Sequence, residues 1–300
     1  SFYHDHMDLP MGLIKHTGAP HHYWGAEPGE TEMQFSARRA QELEDLILRE
    51  GPDTVGAFIG EPVLGTGGIT PPPEGYWAAI QAVLRKYDVL LIADEVVTGF
   101  GRTGAMFGSI KYEMEPDLIT VAKGLTSAYV PLSAVIVGEK VYQVMEDAAD
   151  RIGSFSHGYT YSGHPIGAAC ANAVLDIVER EDLPGNARTT GEYFQAELRK
   201  AFAQMPIVGE VRGVGLMGAV EFVADREKKT RFDAGLKVGA RISAAARARG
   251  LIARAMPHGD ILGFAPPLVT TREEVDQIVG LAAEAAREVM NELADEAALA

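Results

Sequence analysis

Val89-Leu90-Leu91-Ile92-Ala93-Asp94-Glu95 is the stretch on which the fold turns. Its five apolar residues do not alternate with polar ones. Such runs are typical of strands covered on both faces, in a parallel sheet. They predict a strand over 89–93 that delivers Asp94 and Glu95 at its C-terminal end. Residues 118–121 and 132–137 read the same way, and 55–59 reads as another buried strand. Between these strands the pattern is helical or turn-like. Leu43, Leu46 and Ile47 share one face of a helix over 38–49. Gly65, Gly67, Gly68 and Pro71 to Pro73 mark a turn-rich passage, and a helix follows over 74–86. Strands separated by helices or long loops predict an α/β fold, a mostly parallel sheet layered by helices.

Further along, the texture changes. Residues 165–179 and 187–202 are expected helices, with a break at 182–184. Residues 211–223 carry Gly213, Gly215 and Gly218 and end in a strand-like run over 219–223. A helix is expected over 233–249, and short strands over 251–253 and 261–264. The last helix opens with a capping box, Thr271 at the cap and Glu274 three residues on. The boundary is placed near 184. Residues 1–184 read as part of a large domain and 185–300 as a smaller C-terminal α+β domain.

Composition excludes several classes. The chain holds 42 acidic and 27 basic residues, a net charge of −15, the opposite of what a nucleic-acid binder needs. Its 47% hydrophobic and 23% charged content is that of a globular protein, which argues against disorder. No apolar run approaches the roughly 20 residues of a membrane span, so no membrane partner is expected. The one cysteine, Cys170, cannot form an intrachain disulfide; it reads as buried packing and fits a reducing, cytoplasmic setting. Ser1 to His6 lacks the basic region and apolar core of a signal peptide. His4, His6, His21 and His22 match no zinc spacing, so they read as solvated loop histidines.

Chemistry is expected where the strand over 89–93 ends, because ligands of open parallel sheets bind at that edge. An apolar strand ending in Asp-Glu also occurs as the Walker B strand of ATPases. That reading needs a Gly-x-x-x-x-Gly-Lys-[Ser/Thr] loop, and the chain has none. The other reading makes Asp94 the partner of a cationic ring nitrogen. Lys123 follows Leu118-Ile119-Thr120-Val121-Ala122 and precedes Gly124. A lysine amine held at a sheet edge in apolar surroundings loses its proton readily and becomes a nucleophile. The plainer alternative is a lysine snorkelling at a strand end. Asp94 and Lys123 together favour chemistry. Pyridoxal phosphate needs a lysine amine for its aldehyde and a carboxylate that keeps its ring nitrogen protonated. The hydroxyls and free N–H groups of Tyr159-Thr160-Tyr161-Ser162-Gly163-His164, ahead of Pro165, suit its phosphate.

These segments resemble class III pyridoxal-phosphate-dependent aminotransferases, of fold type I. The matching stretches are Glu61-Pro62 with Gly67-Gly68, Leu91 to Val96 running on to Gly99-Phe100-Gly101-Arg102-Thr103-Gly104, Pro116-Asp117-Leu118 to Lys123-Gly124, and Tyr159 to Pro165. The ω-amino acid and amine:pyruvate enzymes look nearest. The resemblance implies that Lys123 forms the Schiff base and shuttles the proton, Asp94 pairs with the pyridine nitrogen, and Val96 presses one ring face. It implies that Glu61 joins the polar network by the ring; Arg102 reads more plainly as structural, and Val96 could be ordinary core. Thr160 would bind the phosphate of the neighbouring subunit's cofactor, because the family builds shared sites in a homodimer. Arg254 would grip the acceptor carboxylate. His157 and His164 would be structural or hydrogen-bonding.

Two departures shape the expectation. The family's Ser-Gly-rich phosphate loop and its ring-stacking aromatic residue are not found, so the sequence reads as the C-terminal part of a larger enzyme. Thr66 stands where ornithine and 4-aminobutyrate members tend to carry Glu. The expected activity is transfer of an amine from an amine or ω-amino acid donor to a 2-oxo acid, with pyruvate foremost. The alternatives are an aminomutase of the same fold and an inactive fragment or binding module.

Overall fold

The first sheet runs in sequence order: β1 (Ala57–Gly60), β2 (Leu90–Asp94), β3 (Leu118–Val121) and β4 (Ala134–Val137). In this computed structural model, which describes residues 6, 7, 9 and 11–299, β1, β2 and β3 are parallel. Ala93 lies opposite Gly60, and Asp94 opposite Thr120. Strand β4 departs from the expectation of buried parallel strands. It pairs antiparallel with β3, and all four of its residues are exposed. An apolar run states a preference for burial, but nothing in it encodes direction.

Burial on β2 is also one-sided. Leu91 and Ala93 are buried, while Leu90, Ile92 and Asp94 are half-buried. The covering layer is made by the helices Glu32–Glu50 and Tyr76–Lys86. Leu43 and Ile47 of one and Trp77, Ile80 and Leu84 of the other close over Leu91 and Ala93. The helix expected over 38–49 therefore starts earlier, at a capping box of Thr31 and Gln34.

The second sheet, in the order β5 (Val208–Val214), β6 (Met217–Phe222), β8 (Ile261–Phe264), β7 (Arg254–Ala255), is antiparallel throughout. Strand β5 was not foreseen, because Glu210, Arg212 and two glycines hide its strand pattern. The strand expected over 251–253 is not one; pairing begins at Arg254. The helices Leu183–Phe202, Val238–Ala248 and Arg272–Leu299 cover one face, around Phe194, Phe202, Val220, Phe222, Leu262 and Val279. The helix expected over 233–249 is divided. A 3-10 turn, Ala234–Leu236, gives way at Lys237, whose φ of 49° is left-handed. The expected break at 182–184 reduces to Asp182, which caps the next helix by accepting from Gly185 N, with Pro184 inside the first turn.

Strand β6 is buried on both faces. Val220 and Phe222 face the helices, while Met217 and Ala219 face Val63 and Ile69 of the segment after β1. The two sheets are thus joined through that segment. They are joined again by Gly99 to Gly104. Arg102 Nη1 donates to the carbonyls of Leu216 at 2.9 Å and Pro266 at 2.5 Å. Burial lowers the Arg102 pKa to about 10. A Cβ on Gly215 would lie 2.5 Å from Arg102 O, so that turn requires glycine.

Candidate active site

Asp94 is the last residue of β2, and Lys123 opens the 3-10 turn Lys123–Thr126 just past β3. The strands are parallel neighbours, so both residues arrive at the same sheet edge. Asp94 Oδ1 accepts from Val96 N at 3.1 Å and Thr120 Oγ1 at 3.3 Å. These bonds fix the carboxylate plane, and Oδ2 accepts none among the described residues. Lys123 sits at a φ of 43°, in the left-handed region that is uncommon for residues with a Cβ. Its turn packs against the helix Pro165–Arg180, where Leu125 meets Ala171. Lys123 is exposed, so the expectation of apolar surroundings fails for its side chain in this chain. Only the preceding Val121 is buried.

Glu61 directly follows β1, at the same sheet edge. Its Oε2 accepts from Gly65 N at 2.8 Å. Burial raises its pKa, the Gly65 hydrogen bond opposes the rise, the Asp94 charge adds to it and the Lys123 charge reduces it. Glu61, Asp94 and Lys123 therefore form one electrostatic group. Val96 is half-buried beside it, two residues past Asp94.

The other expected residues are not gathered here. Thr160 lies in an exposed turn, and no described bond joins it to Lys123 or Asp94. The helix after it is capped by His164, whose Nδ1 accepts from Ile166 N at 3.3 Å. His157 stacks on Phe155. Cys170 is half-buried rather than buried, with its thiol 3.9 Å from Thr126 O. Arg254 is exposed in β7, and no ion pair holds it among the described residues. Thr66 is half-buried in the turn that Glu61 anchors.

Three groups escaped the sequence reading. Glu95 is fully buried, and its carboxylate accepts from Thr98 Oγ1, Gly108 N and Ser109 N. Beside Asp94 it is a structural carboxyl group, and only its place on the inward face of the chain distinguishes it. His21 and His22 are not solvated loop residues. His21 Nε2 donates to Glu210 Oε2 at 3.0 Å, and His22 bonds Glu30 O at 2.9 Å. His4 lies outside the described residues. His21, Glu210 and Glu221 come within 4.8 Å of one another, as metal ligands do, but Arg212 Nη1 already bonds both carboxylates. A guanidinium fills the cation's role there.

A pyridoxal ring asks for an amine at its aldehyde and a carboxylate at its ring nitrogen. Lys123 and Asp94 offer both from neighbouring strand ends. The unengaged Oδ2 suits a ring N–H, and the exposed amine is accessible. The residues present fit that part of the cofactor. For its phosphate, Thr160 is the one expected residue, and no described bond ties it to Lys123 or Asp94.

Residues 12–285 match the aminotransferase class-III family. An uncharacterized aminotransferase, y4uB, of Sinorhizobium fredii is 79% identical over 293 residues, 98% of this chain and 63% of that protein. The diaminobutyrate–2-oxoglutarate transaminase of Halomonas elongata is 60% identical over 299 residues, 99% of this chain and 64% of that one. A solved transaminase from directed evolution by ancestral reconstruction superimposes with a TM-score of 0.95 at 67% identity, over 97% of this chain and 64% of that one. The chain thus spans just under two thirds of these relatives. With the family match over nearly its whole length and the strand-end lysine and aspartate in place, the chain belongs to the class III aminotransferases, fold type I enzymes that use pyridoxal phosphate.

Proposed function

We propose that this chain supplies the lysine-bearing part of an aminotransferase that moves an amino group from an amine or ω-amino acid to a 2-oxo acid. Residues 1–184 would form part of its cofactor domain and 185–300 its small domain. The observation that carries the reading is the placement of Asp94, Lys123 and Glu61 at one sheet edge. Pyridoxal phosphate, when bound, would supply an electron sink. Lys123 Nζ would provide the nucleophilic amine and would hold and return the proton in transfer. Asp94 Oδ2 holds a proton on the ring nitrogen by its negative charge. Val96 supports the ring face, and Glu61 orders the turn beside it. Thr160 serves the site of a second copy, to which its exposed turn leaves it open.

For the acceptor we propose pyruvate, gripped by the Arg254 guanidinium, whose fork matches two carboxylate oxygens. Support comes from Thr66. A threonine cannot form the fixed ion pair that a glutamate there would form, and no ion pair restrains Arg254 among the described residues. Arg254 is then free to leave when an apolar donor enters. The Halomonas relative's name favours a second reading, with diaminobutyrate as donor and 2-oxoglutarate as acceptor. The test is a holoenzyme assay of several amines against both acceptors, with Lys123→Ala as the blank. Pyruvate should be preferred. Arg254→Ala should raise its KM about tenfold or more, the scale of a lost charged hydrogen bond, and leave that of an uncharged amine little changed. Preference for 2-oxoglutarate would select the second reading, and turnover in the Lys123→Ala blank would refute the lysine's role.

A further inference from the structure

The turn 65–69 sits between the site and the second sheet, and it is tied at both ends. Leu64 and Thr70 bridge its base through paired backbone bonds of 3.0 and 2.9 Å. At the site end, Gly65 N donates to the Glu61 carboxylate. At the far end, Arg212 of β5 donates from Nε to Gly68 O at 3.0 Å and Ile69 O at 3.2 Å, and from Nη2 to Gly68 O at 2.7 Å. Arg212 is 7% exposed. Its remaining nitrogen, Nη1, bonds Glu210 and Glu221. These acids are held in turn by His21 and by the indole N–H of Trp24.

Such a clamp has something to hold. Ile69 has a φ of 51°, and a β-branched residue in that region is a strained outlier. Its side chain is buried among Val63, Met217 and Ile261. Gly68 has a φ of 121°, and a Cβ there would lie 2.9 Å from Arg212 Nη2 and 3.1 Å from Ile261 Cδ1. The sequence thus keeps glycine where the guanidinium must touch backbone. Without the clamp the strained turn would relax, and Thr66 and the Glu61 partner Gly65 would move with it.

We propose that Arg212 is a positioning residue, which clamps the turn 65–69 from the second sheet and thereby fixes Thr66 and the Glu61–Gly65 hydrogen bond beside the site. The substrate part of this rests on the aminotransferase reading above. Displacing a group at the edge of the site by a fraction of an ångström weakens binding and alignment without removing any reacting atom.

The test uses two variants of the holoenzyme. Arg212→Lys keeps a charge beside Glu210 and Glu221 but loses the fork. Gly68→Ala keeps Arg212 and pushes it off the carbonyls. Hydrogen exchange is read on the peptide covering 62–72, with the helix Arg272–Leu299 as control. Both variants should exchange at least about tenfold faster in that peptide alone. In both, KM for the amine donor should rise about tenfold, equal to ~1.4 kcal/mol, with kcat within about threefold. Wild-type exchange in both variants would overturn the clamp. Faster exchange with an unchanged donor KM, or an equal fall in kcat for every donor, would overturn the positioning role. If the wild-type holoenzyme transaminates no amine, the function proposed above fails, while the exchange result still decides the clamp.

Discussion

Glu61 carries a carboxyl whose pKa burial raises, against the hydrogen bond from Gly65 N. A raised acid binds more protons folded than unfolded. Stability therefore falls as pH climbs from about 4.5 through the folded value, and the whole penalty is present above it. Glu61→Gln keeps an oxygen for Gly65 N–H and never ionises. Its thermal midpoint should exceed the parent's at pH 7, and the gain should shrink as pH falls from the raised folded value toward 4.5 and be largely gone below it. A gain that is constant across that range would show that ionisation plays no part. At this scale the sequence revealed the residues that stand out against apolar neighbours. Asp94 follows an uninterrupted apolar run and Lys123 one broken only by Thr120, so their charge is conspicuous. Arg212, Glu210 and Glu221 were not legible. Each is an ordinary surface type in a mixed segment, and only the pairing of β5 with β6 brings them together.

Elements were legible where local chemistry decides them. The capping box read at Thr271 and Glu274 is present: Thr271 N donates to Glu274 Oε2 at 2.9 Å, and Glu274 N to Thr271 Oγ1 at 3.3 Å. The helix it opens packs Val275, Val279 and Ala282 into the second core. Thr271→Ala should therefore cost about 1 kcal/mol in urea unfolding, the usual cost of losing a cap. No measurable change would mean that packing alone fixes that helix end. The matching box at Thr31 and Gln34 was passed over because the apolar stripe becomes regular only later in that helix. The antiparallel direction of β4 and the true start of β7 depend on pairing partners distant in sequence. A single stretch of residues carries no signal for them.

At the scale of the whole molecule, β4 and the segment after it leave large apolar side chains open to solvent. Val135, Ile136 and Val137 of β4 are exposed, as are Ile152, Phe155, Tyr159 and Tyr161 in the helix and turn that follow. Apolar exposure concentrated along one stretch of chain points to an interaction surface. The chain spans just under two thirds of its relatives, and Thr160 lies on this exposed stretch, with no described bond to its own Lys123. A homodimer with shared sites would satisfy Thr160, with the lysine of one subunit and the threonine of the other at each site. That arrangement predicts complementation. In the holoenzyme, Lys123→Ala lacks the nucleophile, and Thr160→Glu places a negative charge against the phosphate. Each should be inactive as a homodimer. A mixed dimer has one site with both defects and one with neither, because the intact lysine and the intact threonine meet across the interface. Random re-pairing of an equal mixture makes half the dimers mixed, so about a quarter of wild-type activity should return under the two-fold symmetry of such an interface. Sites contained within one subunit would return none, since every site would then keep its own subunit's defect. Sedimentation of the same mixture checks that dimers are present when activity is read.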